Sequence, residues 1–186
     1  MKKFNTLTSL ALPLHKKDID TSMIISSDYI ETTQKGGFGQ HLFESLLQSD
    51  KKFPLHSDKY EKSRILITNE NFGGGSFHEY AVWAIQEAKF RVIIGKSFSN
   101  IFSANAAKNG LLLITLAPDL IDYILEHAEK EDYKIEVNLE RETIKLPDKG
   151  KYKFQYPEFR KHCLLNGVDD LDYIMQSDKE IAKHCK

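Results

Sequence analysis

Three consecutive glycines, residues 73 to 75, precede Ser76, Phe77 and His78 near the middle of the 186-residue chain. Glycine adopts backbone conformations that other residues avoid, so the peptide N–H groups of such a loop can converge on one point. If a helix follows, the positive end of its dipole lies at the same place, which suits a phosphate or a carboxylate. The segment therefore predicts an anion-binding loop, although a tight turn that binds nothing would have the same composition.

Ser76 and Glu79 have the spacing of a capping box, in which each side chain bonds the backbone N–H of the other residue. This spacing predicts that a helix begins at Ser76 and runs through residues 80 to 88, which lack glycine and proline. It also accounts for Ser76 without any ligand. Dinucleotide-binding and Walker-type glycine loops do not fit, because His78 and Phe90 stand where those motifs need glycine.

Apolar, β-branched runs alternate with helix-favouring segments through the middle of the chain. Strands are predicted over residues 64 to 68, 90 to 94 and 111 to 116. A helix over residues 101 to 108 precedes the last of these, with Ser97 or Ser99 as its N-cap and Asn109-Gly110 as its end. This alternation predicts a parallel sheet, and anion sites in such sheets lie at the carboxyl ends of the strands.

The segments on either side complete the predicted architecture. Ahead of the central unit we expect a strand over 6 to 12, a polar turn around Asp18 and Asp20, a second glycine-rich loop over 34 to 39, a helix over 40 to 47 and a surface connection over 49 to 61. Behind it we expect a helix over 118 to 131, antiparallel strands within 133 to 146 and 151 to 156, and helices over 157 to 166 and from 177 onwards. The antiparallel part carries no constellation of titratable side chains, so its predicted role is structural.

Bulk composition excludes several classes of protein. The net charge is −1 and no basic block is present, so a nucleic-acid partner has no electrostatic support. No apolar run reaches membrane-spanning length, and cytoplasm is the expected compartment. The two cysteines, Cys163 and Cys185, predict a reducing environment. They are too few and too far apart for an iron–sulfur cluster. Adjacent residues such as His162 and Cys163 point about 100° apart on a helix and cannot easily share a zinc ion, so no metal is expected in this chain.

The glycine loop resembles the active-site loop of the 3-isopropylmalate dehydratase small subunits, the swivelling domain of the aconitase family. Those proteins read Asn-Phe-Gly-Cys/Ala-Gly-Ser-Ser-Arg-Glu-His-Ala where this chain has residues 71 to 81. Further matching blocks are Asp18-Ile19-Asp20-Thr21, Gly37-Phe38-Gly39-Gln40-His41-Leu42-Phe43, Ser97-Phe98-Ser99-Asn100-Ile101-Phe102 with Asn105, and Phe159-Arg160-Lys161-His162-Cys163-Leu164-Leu165-Asn166-Gly167. The resemblance covers most of the chain and identifies it as a member of this family.

The resemblance implies one α/β domain of the aconitase swivel type over residues 1 to 186, with a mixed or parallel β core, flanking helices and an antiparallel β extension. It also implies isomerisation of 2-isopropylmalate to 3-isopropylmalate, a step of leucine biosynthesis, by removal and re-addition of water. The [4Fe–4S] cluster of that reaction belongs to a separate large subunit, which would be the partner of this chain. The substrate is a small dicarboxylic acid.

Site residues follow from the same resemblance, position by position. Ser76 corresponds to the base that takes the carbon-bound proton. A serine hydroxyl is a poor base in water, but N–H donors of a glycine loop would favour its alkoxide. The substrate contacts implied by the matching positions are Gly74, Gly75, Phe77, His78, Lys35, Asp20 and Thr21.

Several departures from the family pattern lie close together. Phe77 replaces a serine, His78 an arginine and Tyr80 a histidine, while Ser22 stands where an aspartate is usual. Arginine offers a planar, permanently charged fork for a carboxylate, whereas the charge of histidine depends on pH. Two alternatives therefore stay open beside the dehydratase: a hydro-lyase subunit for a different 2-substituted malate, and a non-catalytic homologue that docks on a large subunit. A free-standing anion-binding protein is a further alternative.

Overall fold

A seven-stranded sheet organises the part of the chain that the computed structural model describes, residues 1–29, 36–75, 78–130 and 132–175. The strands are β1 (Thr6–Leu14), β2 (Ile65–Thr68), β3 (Val92–Gly95), β4 (Leu112–Thr115), β5 (Lys134–Asn138), β6 (Thr143–Leu146) and β7 (Gly150–Lys153). Their order across the sheet is β4-β3-β2-β1-β5-β6-β7.

The long strand β1 joins two kinds of pairing. Its last residues, Ala11 to Leu14, pair in parallel with β2, and the parallel half continues through β3 and β4. Its first residues, Thr6 to Leu10, pair antiparallel with β5, and β6 and β7 extend that half. The predicted parallel core with an antiparallel extension is confirmed.

Helices cover both faces of the sheet. They are α1 (Thr21–Ile24), α2 (Glu44–Ser49), α3 (Tyr80–Glu87), α4 (Asn100–Asn109), α5 (Pro118–Lys130) and α6 (Glu158–Asn166), with short 3₁₀ turns at Ser27–Tyr29, Phe38–His41, Pro54–His56 and Asp58–Tyr60. Successive strand residues point to opposite faces. Leu66 and Ile93 therefore pack with the helices on one face, and Ile65, Ile67 and Val92 pack with α5 on the other.

Two of the predicted helix ends are confirmed. The hydroxyl of Ser99 accepts the Phe102 N–H at 3.2 Å and caps α4, and Gly110 ends that helix in the left-handed conformation. The predicted start of a helix at Ser76 is wrong, because α3 begins at Tyr80 with Glu79 as its N-cap and with no side-chain capping bond. The main chain at Gly74 still pairs with a neighbouring segment and Gly75 has a φ of +102°, so the helix begins only further along the chain.

Two predictions for the first third of the chain need correction. The helix over 40 to 47 is a 3₁₀ turn, Phe38–His41, followed by α2, because Phe43 between them has a φ of +57°. Residues 49 to 61 are not merely a surface connection. Phe53 and Tyr60 are buried in the core, and the Tyr60 hydroxyl donates to the Ala128 carbonyl at 2.7 Å. The helix predicted from residue 177 lies outside the described residues.

Gly73 occupies a position where no side chain fits. Its φ is +82°, and a Cβ built on it would lie 2.3 Å from Cγ of Phe102, which is itself fully buried in α4. Gly74, the next residue, has no positive φ, and a Cβ built there would meet no atom of the described residues within 4 Å. Of these two adjacent glycines, only the first is required by packing.

We expect Gly73→Ala to lower the free energy of unfolding by roughly 2–4 kcal/mol, the sum of an unfavourable left-handed conformation and overpacking against Phe102. Gly74→Ala is the matched control and should unfold at nearly the same denaturant concentration as the parent. Urea unfolding of the three proteins measures the difference. Equal midpoints for both variants would show that the contact with Phe102 is not rigid.

Candidate active site

Three segments meet at the carboxyl ends of the parallel strands. They follow β1, β2 and β3 and cover residues 15 to 21, 69 to 75 and 96 to 99. The glycine loop is the middle segment, and it runs between the other two as a short additional strand, with isolated β-bridges from Asp20 to Gly74 and from Phe72 to Phe98. This is the edge of the sheet at which the sequence predicts an anion site.

Main-chain hydrogen bonds hold the glycine loop on both sides. The Gly73 N–H donates to the Ile19 carbonyl at 2.7 Å, and the Thr21 N–H donates to the Gly74 carbonyl at 2.7 Å. On the other side, the Ser99 hydroxyl donates to the Gly73 carbonyl at 2.6 Å. The N–H of Gly73 is therefore committed to the fold, and the loop donors to consider for a ligand are those of Gly74 and Gly75.

Asp18 and Asn71 form a contact that sequence reasoning missed. Both have left-handed backbone conformations, with φ near +52° and +53°, and the Asn71 side-chain amide donates to the Asp18 carboxylate at 2.9 Å. The Asn71 N–H also donates to the Ser97 hydroxyl at 2.8 Å. Asparagine and aspartate adopt the left-handed conformation more readily than most residues do. Their presence at these two positions is the feature of the sequence that could have indicated this contact. The pair fixes the start of the glycine loop against its neighbours.

The predicted contacts Asp20, Thr21, Gly74 and Gly75 lie together. The Asp20 carboxylate caps α1 by accepting the Met23 N–H at 2.9 Å, as the predicted turn chemistry requires. Thr21 is buried, and its hydroxyl oxygen lies 3.0 Å from the position of a Cβ on Gly75. The two segments therefore form one continuous wall.

Ser22 lies on the exposed side of the same turn. Its hydroxyl donates to the Asp20 carboxylate at 2.7 Å, so it supports the acidic side chain that caps α1. A serine at this position supplies a hydrogen-bond donor where the family has a second carboxylate. The wall consequently carries less negative charge than the family pattern implies.

His78 is exposed, three residues beyond Gly75. Its ring lies 5.5 Å from that of Tyr80, and Tyr80 contacts the ring of Phe38 at 5.5 Å. The described part of the second glycine-rich loop, residues 36 to 39, thus packs against α3, where the Gly39 N–H also donates to the Glu87 carboxylate at 2.9 Å. Three predicted site residues, Lys35, Ser76 and Phe77, lie outside the described residues, and their roles stay predictions.

A nearly buried lysine ties this edge to α5. The Lys96 side chain is only 8% exposed, and its ammonium lies 2.7 Å from the Asp122 carboxylate and 3.8 Å from that of Glu70. Glu70 also pairs with Lys17 at 3.1 Å. The segments that follow β1, β2 and β3 are therefore linked by charge as well as by main-chain bonds.

A second group of titratable side chains flanks the second glycine-rich loop. The rings of Tyr29 and His41 stack at 3.7 Å, and Nδ1 of His41 lies 2.9 Å from the Glu44 carboxylate. Hydrogen bonds from Tyr29, foremost, and from His41 lower the pKa of Glu44, and the bond to Glu44 raises the pKa of Tyr29. Since each side chain is bonded to another member, we assign the group to anchoring this part of the chain.

The described side chains do not fit an iron–sulfur cluster. Among them, no group of three or more histidine, cysteine, aspartate or glutamate residues could hold a metal ion. Cys163 is fully buried, and burial raises the pKa of its thiol, which disfavours the thiolate that binds iron. Cys185 lies outside the described residues. Within the described ranges, none of the helices has the length and apolar character that crossing a membrane requires.

Comparison with known proteins agrees with this architecture. Residues 1–119 match the family model for the aconitase C-terminal domain. The chain is 44% identical to the 3-isopropylmalate dehydratase small subunit of Francisella philomiragia, over 95% of this chain and 93% of that protein. It is 36% identical to the protein of the same name from Saccharophagus degradans, over 99% of this chain and 93% of that protein.

A solved structure has the same fold. The crystal structure of 3-isopropylmalate dehydratase from Methanocaldococcus jannaschii superposes with a TM-score of 0.71 at 27% identity, covering 96% of this chain and 99% of that one. The predicted fold class, a mixed α/β domain of the aconitase swivel type, is confirmed. On the strength of these relatives and of the glycine loop at the carboxyl edge of its sheet, the chain belongs to the 3-isopropylmalate dehydratase small subunits.

Proposed function

We propose that this chain is the small subunit of a 3-isopropylmalate dehydratase that converts 2-isopropylmalate to 3-isopropylmalate by dehydration and rehydration. One observation carries the proposal: Asp20 and Thr21 lie against Gly74 and Gly75, directly before Ser76, at the carboxyl edge of the parallel strands. The relatives at 36–44% identity support the same activity, and they do not favour a non-catalytic homologue. The expected compartment is the cytoplasm.

In this proposal Ser76 takes the carbon-bound proton of the substrate. Its alkoxide needs hydrogen-bond donors close by. Since α3 begins only at Tyr80, four residues after Ser76, the adjacent peptide N–H groups of the glycine loop are nearer in the sequence than the helix N-terminus and are the proposed donors. Gly74 has no side chain, and none of the described residues fills the space beside it, so a substrate carboxylate can approach its main chain closely. Phe77 is proposed to contact the apolar part of the substrate.

Lys35 and His78 are proposed to bind substrate carboxylates. Asp20 and Thr21 are proposed to form one wall of the site. An exposed imidazolium can take the place of arginine, with one or two donors in place of a fork. The [4Fe–4S] group is assigned to an iron–sulfur large subunit, as the resemblance to the dehydratase small subunits implies. When bound there, it supplies the Lewis acid that accepts the substrate hydroxyl.

Activity should require that partner. We expect the purified chain to show no turnover of 2-isopropylmalate, and to become active when it is co-expressed with the iron–sulfur large subunit from the same genome. The absorbance of the unsaturated intermediate and the iron content of each preparation measure this. Turnover or stoichiometric iron in the chain alone would contradict the proposal, as would an inactive but correctly assembled complex containing an intact cluster.

Ser76→Ala should lower kcat of the assembled enzyme by at least about 10²-fold, the lower range for a positioned proton-transfer group. Little stability should be lost, since Glu79 rather than Ser76 is the N-cap of α3. The matched control is Ser49→Ala, which removes a hydroxyl at the end of α2 that donates to the Leu46 carbonyl. Steady-state kinetics of both complexes measure the change in kcat. A fully active Ser76→Ala enzyme would exclude Ser76 as the base.

His78 should make substrate binding depend on pH. Imidazole attracts a carboxylate strongly only when it is protonated, so KM should rise as pH increases past neutrality. The contact exists in both the ground state and the transition state, so kcat should change less. KM measured from about pH 6 to about pH 9 tests this, because histidine ordinarily loses its proton within that range.

Two variants separate this effect from other titrations. His78→Arg should flatten the pH dependence of KM, because arginine keeps its charge throughout the range. His162→Ala, which removes an exposed histidine from α6, should leave the profile unchanged. A level KM for the parent enzyme, with His78→Ala indistinguishable from it, would make His78 a surface residue with no part in binding.

A further inference from the structure

A cavity of about 560 Å³ lies at the amino ends of the parallel strands, on the opposite edge of the sheet from the candidate active site. Its walls include Lys2, Leu7, Arg64, Gln86, Lys89 and Arg91. Arg64 directly precedes β2 and Arg91 directly precedes β3, while Gln86 and Lys89 lie at the end of α3. None of these side chains has a role in the proposed dehydratase reaction.

Positive charge is concentrated around this cavity. Four of the residues that line it are lysine or arginine, and the described lining residues include no carboxylate. The chain as a whole has a net charge of −1, so this is a local separation of charge. Arg64 and Arg91 are neighbours immediately before two adjacent strands, and the Arg91 N–H donates to the Arg64 carbonyl at 2.9 Å. Like charges at adjacent strand positions repel, and a bound anion would offset that repulsion.

Both guanidinium groups are held by main-chain carbonyls. One Nη of Arg64 donates to the Ser63 carbonyl at 2.7 Å, and one Nη of Arg91 donates to the Lys2 and Lys3 carbonyls at 3.1 and 3.2 Å. Burial lowers the pKa of Arg91, a sign that its charge is partly removed from water. Charges that are fixed and partly desolvated attract an anion more strongly than mobile surface lysines do.

Lys89 is held in an unusual conformation at the end of α3. Its φ is +71°, the left-handed conformation that glycine commonly supplies just after a helix. The Lys89 N–H donates to the Gln86 carbonyl at 2.9 Å, which closes the helix and directs the next residues into β3. A lysine therefore occupies, beside this cavity, a position at which glycine would cost the backbone less.

The remaining walls indicate the size of the ligand. Leu7 is half-buried and apolar, and Gln86 donates its side-chain N–H to the Asn109 carbonyl at 2.8 Å. The volume falls within the range of about 300–1,000 Å³ that small-molecule sites usually have, and it exceeds what a single phosphate fills. An anionic group attached to a small organic body suits such a cavity.

We propose that this cavity binds a small organic molecule carrying at least two phosphate or carboxylate charges, at a site separate from the candidate active site. Arg64 and Arg91 contact the charged groups from fixed positions, and Lys2 and Lys89 contribute flexible ammonium groups at the rim. The site lies at the end of α3, and the candidate active site lies before its start. The inference does not depend on the proposed reaction.

Isothermal titration calorimetry on the full chain at low ionic strength tests the proposal with two probes, adenosine 5′-triphosphate and citrate. At least one should bind with a Kd below about 1 mM, and the probe that binds identifies the charged group as phosphate or carboxylate. Added salt should weaken the binding, since the Debye length falls to about 10 Å at 0.1 M. Hydrogen exchange should slow at residues 86 to 91 when the probe is bound.

The double variant Lys2→Gln/Lys89→Gln should bind the probe about tenfold more weakly than the parent does. The control Lys134→Gln/Lys151→Gln removes two positive charges from exposed strand positions and should bind the probe as the parent does. Lys89→Gly should lose affinity while its Tm stays equal or rises, which separates binding from folding. The proposal is overturned if neither probe binds, if both double variants bind alike, or if only a polymer such as heparin binds. It is overturned equally if exchange slows at residues 71 to 75 instead.

Discussion

The close approach between the backbone of Gly73 and the ring of Phe102 is the constraint on which the candidate site depends. Because glycine has no Cβ, residue 73 can approach the Phe102 ring, and the loop can pass between the segments that follow β1 and β3. Its main chain forms hydrogen bonds to both segments. Those bonds bring Asp20 and Thr21 to Gly74 and Gly75. The missing side chain of Gly73 thus permits its close packing against Phe102, while no atom of the described residues fills the space beside Gly74, which is left for a ligand.

Strand β1 sets the relation between the two halves of the sheet. Its parallel half supports the loops of the candidate site, and its antiparallel half carries the β5–β7 extension. That extension is itself fixed to α5, since the Tyr133 hydroxyl donates to the Asp148 carboxylate at 2.6 Å and Tyr123 on α5 donates to the same group. The extension therefore stabilises the face of the sheet against which α5 packs. Because Asp122 on α5 pairs with Lys96, it also stabilises the loops at the carboxyl edge.

Local sequence patterns predicted the strands and most helix ends because the interactions involved are local. Ser99 caps the helix that begins at the next residue, and Gly110 ends it. The capping box at Ser76 and Glu79 is equally good by spacing, yet α3 starts at Tyr80, because Gly73 and Gly74 are bonded to Ile19 and Thr21, which lie far away in the sequence. The same limit applies to the pairing of Asn71 with Asp18 and to the burial of Tyr60. These depend on residues more than fifty positions away, which no local pattern contains.

The double pairing of β1 also bears on how the protein is made. On the ribosome β1 emerges before each strand that it contacts, and one of its side-chain bonds, from Asn138 to Thr6, spans 132 residues. The half of β1 that pairs with β5 therefore stays unpaired until about three-quarters of the chain has been synthesised, and contacts of such long range slow folding. An exposed strand as rich in leucine as β1 is a site of aggregation. The order in which these strands appear thus prolongs the exposure of β1 during synthesis.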